Sequence, residues 1–241
     1  INTEQKIKAK QLSKDYDYGK KTLEIYSERL YPLFLAIEEK LDFFNIFSKE
    51  LLPKYELLCQ ENQKHLGKNV YTALNNFWNL EKNLKFFLMP NILANGGSFG
   101  LFRKNTLYSV TSPALIKKNL RGFTPQNLIA NSIHEFSHSI FKKKLIKSGE
   151  FPTLTEKAQK ITIPEKLVQK HKYPEIYTEE AFIKAATHFI SVNLYKPFLS
   201  LEESQEKEKE ILDNIVNDGY IHATDFYTKL KKNTNPIDAY T

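Results

Sequence analysis

Large apolar residues recur at three- and four-residue intervals over most of this chain, and that period predicts helices. TLEIYSERLYPLFLAIEEKLDFFNIFSKELL (22–52) carries the period throughout, with Pro32 and Pro53 as boundaries or kinks. VYTALNNFWNLEKN (70–83) predicts another helix, and YTEEAFIKAATHFISVNLY (177–195) and the charged EESQEKEKEILDNIVNDG (202–219) predict two more. The pattern changes at residue 84. LKFFLMPNIL is a short apolar run that stops at Pro90, and SFGLFRKNTLYSVTSP reads as two strands turning at Lys104-Asn105. The expected fold is helix-rich α+β, with a small antiparallel sheet over residues 84–111.

Between these segments lies TPQNLIANSIHEFSHSIFKKKLIKSG (124–149). Thr124-Pro125 has the form of an N-cap and a first-turn proline, and Ser148-Gly149 offers a stop after Lys142, Lys143, Lys144 and Lys147. Ile129, Ile133, Phe136 and Ile140 make an apolar stripe that anchors this helix in a core beneath the sheet. His134 and His138 fall on a different face, shared with Asn127, Asn131, Phe141 and Leu145, and are expected to look into a cleft.

One helical turn separates His134 from His138, so their imidazoles project side by side and can bind a single ion. Glu135 points about 100° away. That offset removes it from the ion's own ligands yet leaves it within reach of a water there, the position a general base needs. Two histidines hold a catalytic metal poorly, and zinc in hydrolases normally takes three protein ligands. The chain has one cysteine, Cys59, read as a buried, inert thiol; it excludes an internal disulfide and a cysteine-based zinc site.

The third ligand must then be His, Asp or Glu, and the pair Glu179-Glu180, expected to open the next helix, is the best acidic candidate. The helical wheel leaves both open. Glu179 falls within the apolar arc of Phe182, Ile183, Ala186 and Ile190, where a buried carboxylate demands a cation. Glu180 shares a polar face with Lys184, Thr187 and Ser191. In NGGSFG, Gly97, Ser98 and Phe99 are the candidates to hold an extended substrate along a strand edge with bare backbone.

Composition narrows the classes. In 241 residues, 41% apolar and 13% aromatic content describe a packed globular chain. The net charge of +7 comes from dispersed lysines without a nucleic-acid motif, so no nucleic-acid partner is expected. No apolar run reaches the length of a transmembrane segment. The chain begins at Ile1 rather than at a methionine, through removal of a leader or through trimming, and an exported protein, secreted or periplasmic, is the expectation.

IHEFSHSIF followed by EEAFIKAATHFI is similar to an uncharacterised bacterial metallopeptidase-like family, whose motifs read HEFxHS and, later, E-x-x-V-R-A-x-T. The resemblance spans about residues 84–230 and is specific at these two motifs. The family's glutamate falls on Glu180, Lys184 stands at its arginine position, and Ala185 and Thr187 match. That family resembles the gluzincins, which implies Zn²⁺ on His134, His138 and Glu180. Many gluzincins carry an acidic residue four positions after the ligand glutamate to orient a ligand histidine; Lys184 occupies that position here, so the orienting group is unassigned. Gluzincins often steady the oxyanion with a downstream Tyr or His, which points to Tyr220 and His222. No H-x-x-G-x-x-H extension follows His138, which disfavours a metzincin.

The resulting expectation is a zinc-dependent peptidase acting on peptides or proteins, with Glu135 as general base. It forms one domain over 1–241, with a helical N-terminal part (1–80) and a catalytic part (81–241). The rivals are a binding module that keeps a metal for stability and a metal-dependent hydrolase of a non-peptide substrate.

Overall fold

The computed structural model describes residues 42–81, 83–90, 98–111, 115–116, 119–120, 125–149, 156–233 and 235–240, with scattered positions from 32 to 40. The expectations for 22–31, Gly97 and Thr124 lie outside the described residues. Backbone contacts divide the chain into two compact units, residues 1–57 and 58–241. Within the first, a helical turn at Phe43–Ile46 runs into a π-helix at Phe47–Leu51.

The elements of the second unit follow in order. Helix α1 (Leu52–Trp78) belongs to it from residue 58 onward and leads to the strands β1 (Lys85–Pro90), β2 (Phe99–Arg103), β3 (Thr106–Thr111), β4 (Leu115–Ile116) and β5 (Asn119–Leu120). Then come α2 (Pro125–Ser148), α3 (Pro174–Tyr195), α4 (Leu201–Asn217), α5 (Ala223–Lys232) and α6 (Pro236–Tyr240). None of the helices among the described residues is long and apolar enough to cross a membrane.

Local chemistry sets the boundaries. Asn79 takes a left-handed conformation at φ 48, and α1 therefore stops at Trp78, short of the expected 83. Helix α2 fills its expected span, from Pro125 to a left-handed Gly149 at φ 74. Helix α3 starts earlier than its periodicity implied, because Pro174 suits a first turn. Glu179 and Glu180 consequently sit in the second turn, rather than opening the helix. A capping box, Ser200 with Glu203, starts α4.

The sheet has the order β1-β3-β2. Strands β2 and β3 form the expected antiparallel hairpin, with Lys104 left-handed at φ 54 in the two-residue turn. Strand β1 pairs with β3 in parallel, so the sheet is mixed rather than antiparallel. Strand β2 starts opposite the end of β3, at the same end of the sheet where β1 finishes. The end of β1 and the start of β2 therefore lie on either side of β3, about 10 Å apart.

Alternation along the strands turns Phe86, Phe102 and Leu107 toward α2, where Phe86 meets the Phe136 ring edge-on at 5.0 Å. On α2 the expected stripe Ile129, Ile133, Phe136 and Ile140 is buried, but so are Phe141 and Leu145 from the histidine face. That face is thus a cleft at its N-terminal half and core at the other. Trp78, fully buried, donates its indole N–H to Ser137 Oγ at 3.1 Å. Phe182 lies among Trp78, Phe141, Phe226 and Tyr240. Ala181, Ala185 and Ala186 on α3 are fully buried, and Phe182 packs on Phe141 of α2 at 5.0 Å. Cys59 is half-buried rather than buried.

One core residue makes the fold sensitive to acid. His188 of α3 is 2% exposed, stacks on Tyr227 and donates its Nε2–H to the Glu208 carbonyl at 2.9 Å. Burial pushes its pKa down to about 4; the Glu208 carbonyl and carboxylate oppose this and Lys231 reinforces it. The unfolded chain therefore takes up this proton first, so the contribution is complete above pH 6.5 and is lost as pH falls from 6.5 through 4. We expect a loss of roughly 3 kcal/mol across that window. Thermal melts at stepped pH should show a shallower fall for His188→Gln, and parallel profiles for variant and wild type would contradict it.

Candidate metal centre

Close packing of α2 on α3 brings three side chains to one point. His134 Nε2 and His138 Nε2 are 3.1 Å apart; Glu180 places Oε2 3.1 Å from His138 Nε2 and Oε1 3.4 Å from His134 Nε2. Two ring nitrogens this close cannot both aim lone pairs at each other, so either one donates an N–H to the other or both face a shared cation. The separation of the two histidine nitrogens is close to the edge of a ligand tetrahedron, ~3.3 Å for ligand bonds of ~2.0–2.1 Å, and Glu180 reaches the two rings with different oxygens. His134, His138 and Glu180 can therefore hold a metal ion.

The outer histidine nitrogens are fixed as well. His138 Nδ1 donates to Glu179 Oε1 at 2.7 Å, which leaves the Nε2 lone pair directed inward. Glu179 also meets Lys142 Nζ at 3.3 Å. Thr187 Oγ1 stands 3.5 Å from His134 Nδ1, at the limit of a hydrogen bond. The two acids that the helical wheel left open thus take different tasks: Glu180 turns inward and Glu179 orients a histidine. Adjacent residues on a helix diverge by about 100°, so one pair can reach both nitrogens of the same ring.

Electrostatics follow from this crowding. Burial alone would lower the His138 pKa, but the Glu179 and Glu180 carboxylates outweigh it and hold it up at about 9. Burial lowers the His134 pKa. It acts upward on Glu180, where His134 and His138 more than reverse it and keep the carboxyl well below the usual range. Glu135, 7% exposed, has its pKa pushed up to about 7 by burial.

Strand β2 reaches the same place. In a two-residue hairpin Arg103 and Thr106 form the closing hydrogen-bonded pair, and alternation from there puts the Gly100 N–H on the free edge of β2. That N–H donates to the Glu135 carboxylate. A Cβ at Gly100 would lie 2.0 Å from the Glu135 carbonyl oxygen and 2.8 Å from Ser139 Oγ, so only glycine lets the strand lie on the helix here. Of the residues expected to line the edge, Gly97 is outside the described residues. Ser98 is half-buried just before β2, and Phe99, 48% exposed, faces away from α2.

Tyr220 and His222 sit differently from the oxyanion donors expected of them. The Tyr220 hydroxyl donates to His171 Nε2 at 2.8 Å and accepts from Lys170 Nζ at 3.0 Å, so its one proton is already engaged. His222 packs edge-on to Tyr177 at 6.0 Å. The cation at the centre is Lys184: its Nζ lies 3.6 Å from Glu180 Oε1 and 4.8 Å over the Tyr220 ring, in the wall of the cleft with His134 and Glu135. Sequence reasoning missed Glu179 as the orienting group, Gly100 as the partner of Glu135 and Lys184 as the local cation. The neighbouring carboxylates and the third glycine of NGGSFG were the available signals.

Comparison of the chain with known protein families, with curated proteins and with solved structures returns no match. The chemistry of the centre therefore rests on its own geometry.

Two substitutions separate the acids. Glu180→Gln should abolish tight metal binding. Glu179→Gln should retain it with an affinity reduced about 10- to 100-fold, as for loss of a group that orients a ligand histidine. Competition with a chromogenic chelator measures both, and an unaltered affinity in Glu179→Gln would contradict its assigned task. Gly100→Ala should cost about 1–3 kcal/mol of stability by overpacking, read as a lowered thermal midpoint. An unchanged midpoint would mean that β2 can leave the helix freely.

Proposed function

We propose that this chain is a zinc-dependent peptidase of gluzincin type. The observation that carries the proposal is the set of three inward donors, His134, His138 and Glu180, with ligand atoms within 4.8 Å of one another, and beside them a buried carboxylate, Glu135, held by the free edge of a strand. Two imidazoles and one carboxylate suit zinc's borderline-soft preference. Held by His134, His138 and Glu180, zinc supplies Lewis acidity to a water and to a peptide carbonyl.

The chain's own groups do the rest. Glu135 takes a proton from the attacking water and returns it to the departing amine, while the Gly100 N–H keeps the carboxylate aimed. Glu179 fixes His138 in the tautomer that points Nε2 inward. Lys184 meets the oxyanion, since its ammonium faces the cleft beside Glu180 and retains donors beyond that ion pair. Tyr220 serves here through its ring, which carries Lys184, instead of through its hydroxyl. The free edge of β2 favours a peptide over other hydrolysable substrates, because an extended main chain can hydrogen-bond along it. A metal-stabilised binding module has no use for a carboxylate held by a strand beside the ion.

Purified protein should contain about one zinc per chain and cleave members of an unbiased peptide library. Glu135→Gln should keep its zinc and its thermal midpoint while the rate falls by ~10² to 10⁴. Cleavage at the wild-type rate by that variant would remove Glu135 from the mechanism.

A further inference from the structure

A groove of about 520 Å³ starts at His134 and Glu135 and continues between α2, α3 and α4. Its floor is one face of α3, on which Lys184, Thr187, Ser191 and Tyr195 follow at helical spacing; eleven residues of helix make it ~16 Å long. Val192 and Leu199 on one side, and Ile211 and Ile215 of α4 on the other, are half-buried and give it apolar walls. Two polar atoms of the floor, Ser191 Oγ and the Tyr195 hydroxyl, are buried without a hydrogen-bond partner, and Ser191 is only 8% exposed. The metal centre uses only the end of the groove at Lys184, so the rest of it has no part in the chemistry described above.

We propose that this groove receives the peptide segment on one side of the scissile bond and selects a bulky apolar side chain, of the leucine or phenylalanine class, next to that bond. Three features support it. The groove is continuous with His134 and Glu135, so a chain lying in it presents its backbone to the centre. The walls offer apolar surface that only an apolar side chain removes from water on binding. The length of the groove fits four or five residues of an extended main chain, at a rise of ~3.3 Å per residue. The proposal rests on the peptidase reading for the chemistry at the groove's end, but selection itself is a binding event and is measured as one.

The test uses the full chain carrying Glu135→Gln, loaded with zinc, titrated calorimetrically with blocked heptapeptides that differ only at the central residue. The peptides with Leu or Phe should bind about tenfold or more tightly than the one with Ala, and the Lys peptide most weakly. Adding Ile211→Trp, which fills the groove from α4, should erase that preference at unchanged zinc content and thermal midpoint. Ile215→Trp, one helical turn further on the same face, is the second filling variant should the first misfold. No binding, equal affinity for all four peptides, or a preference that survives filling in folded, zinc-replete protein overturns the groove. A preference erased by filling, with no peptide cleavage by wild type, supports the groove and removes the peptidase reading. Cleavage by wild type with a preference that ignores both tryptophans does the reverse.

Discussion

Helix α2 packs on α3, with Phe141 of the one tilted against Phe182 of the other at 5.0 Å. Ile133 and Ile140 of α2, and Ile183, Ala186 and Ile190 of α3, are buried in the same core. An interface of this kind has little slack, because interiors pack at crystal-like density. The histidines of α2 and the glutamates of α3 are therefore apposed by apolar packing at their flanks, and the 3.1 Å separations at the centre are its by-product. Truncation of Phe141 or Phe182 would loosen that contact and pull the donors out of register without touching one of them.

This bears on the two ways a metal can serve a protein. Where an ion is structural, the ligands are gathered by the ion and the surrounding core is thin. Here Trp78, Phe141, Phe182, Phe226 and Tyr240 form a contiguous aromatic cluster beside the centre. Burial of such side chains, at about 1.5–3 kcal/mol each, holds the helices together on its own account. The carboxylate of Glu179 and the strand contact at Gly100 then refine atoms that packing has already brought close.

Much of the second unit was legible in the sequence, and the reasons are local. Helix α2 carries its own start and stop in Pro125 and Gly149, and the His-Glu-x-x-His spacing fixes which side chains share a face. The hairpin was legible from Lys104-Asn105. What the sequence hid was set by distant partners. The parallel pairing of β1 depends on which edge of β3 was still free, and no residue of LKFFLMP encodes that. A wheel drawn for α3 alone cannot show that two nitrogens of one His138 ring await both Glu179 and Glu180. The Tyr220 hydroxyl is engaged by Lys170 and His171, which lie between helices and carry no periodicity to announce them. Lys184 looked like a departure from a pattern until the Tyr220 ring appeared beneath it.

The hydrogen bond from Gly100 to Glu135 ties the free edge of β2 to the buried carboxylate beside the metal centre. An incoming peptide that extends the sheet at that edge must lie alongside the same backbone. Alignment of the guest strand and orientation of the carboxylate are thereby one degree of freedom. On the peptidase reading proposed above, a guest that settled one residue out of register would meet a carboxylate facing the wrong atom, so strand register would be selected by geometry before any bond is broken.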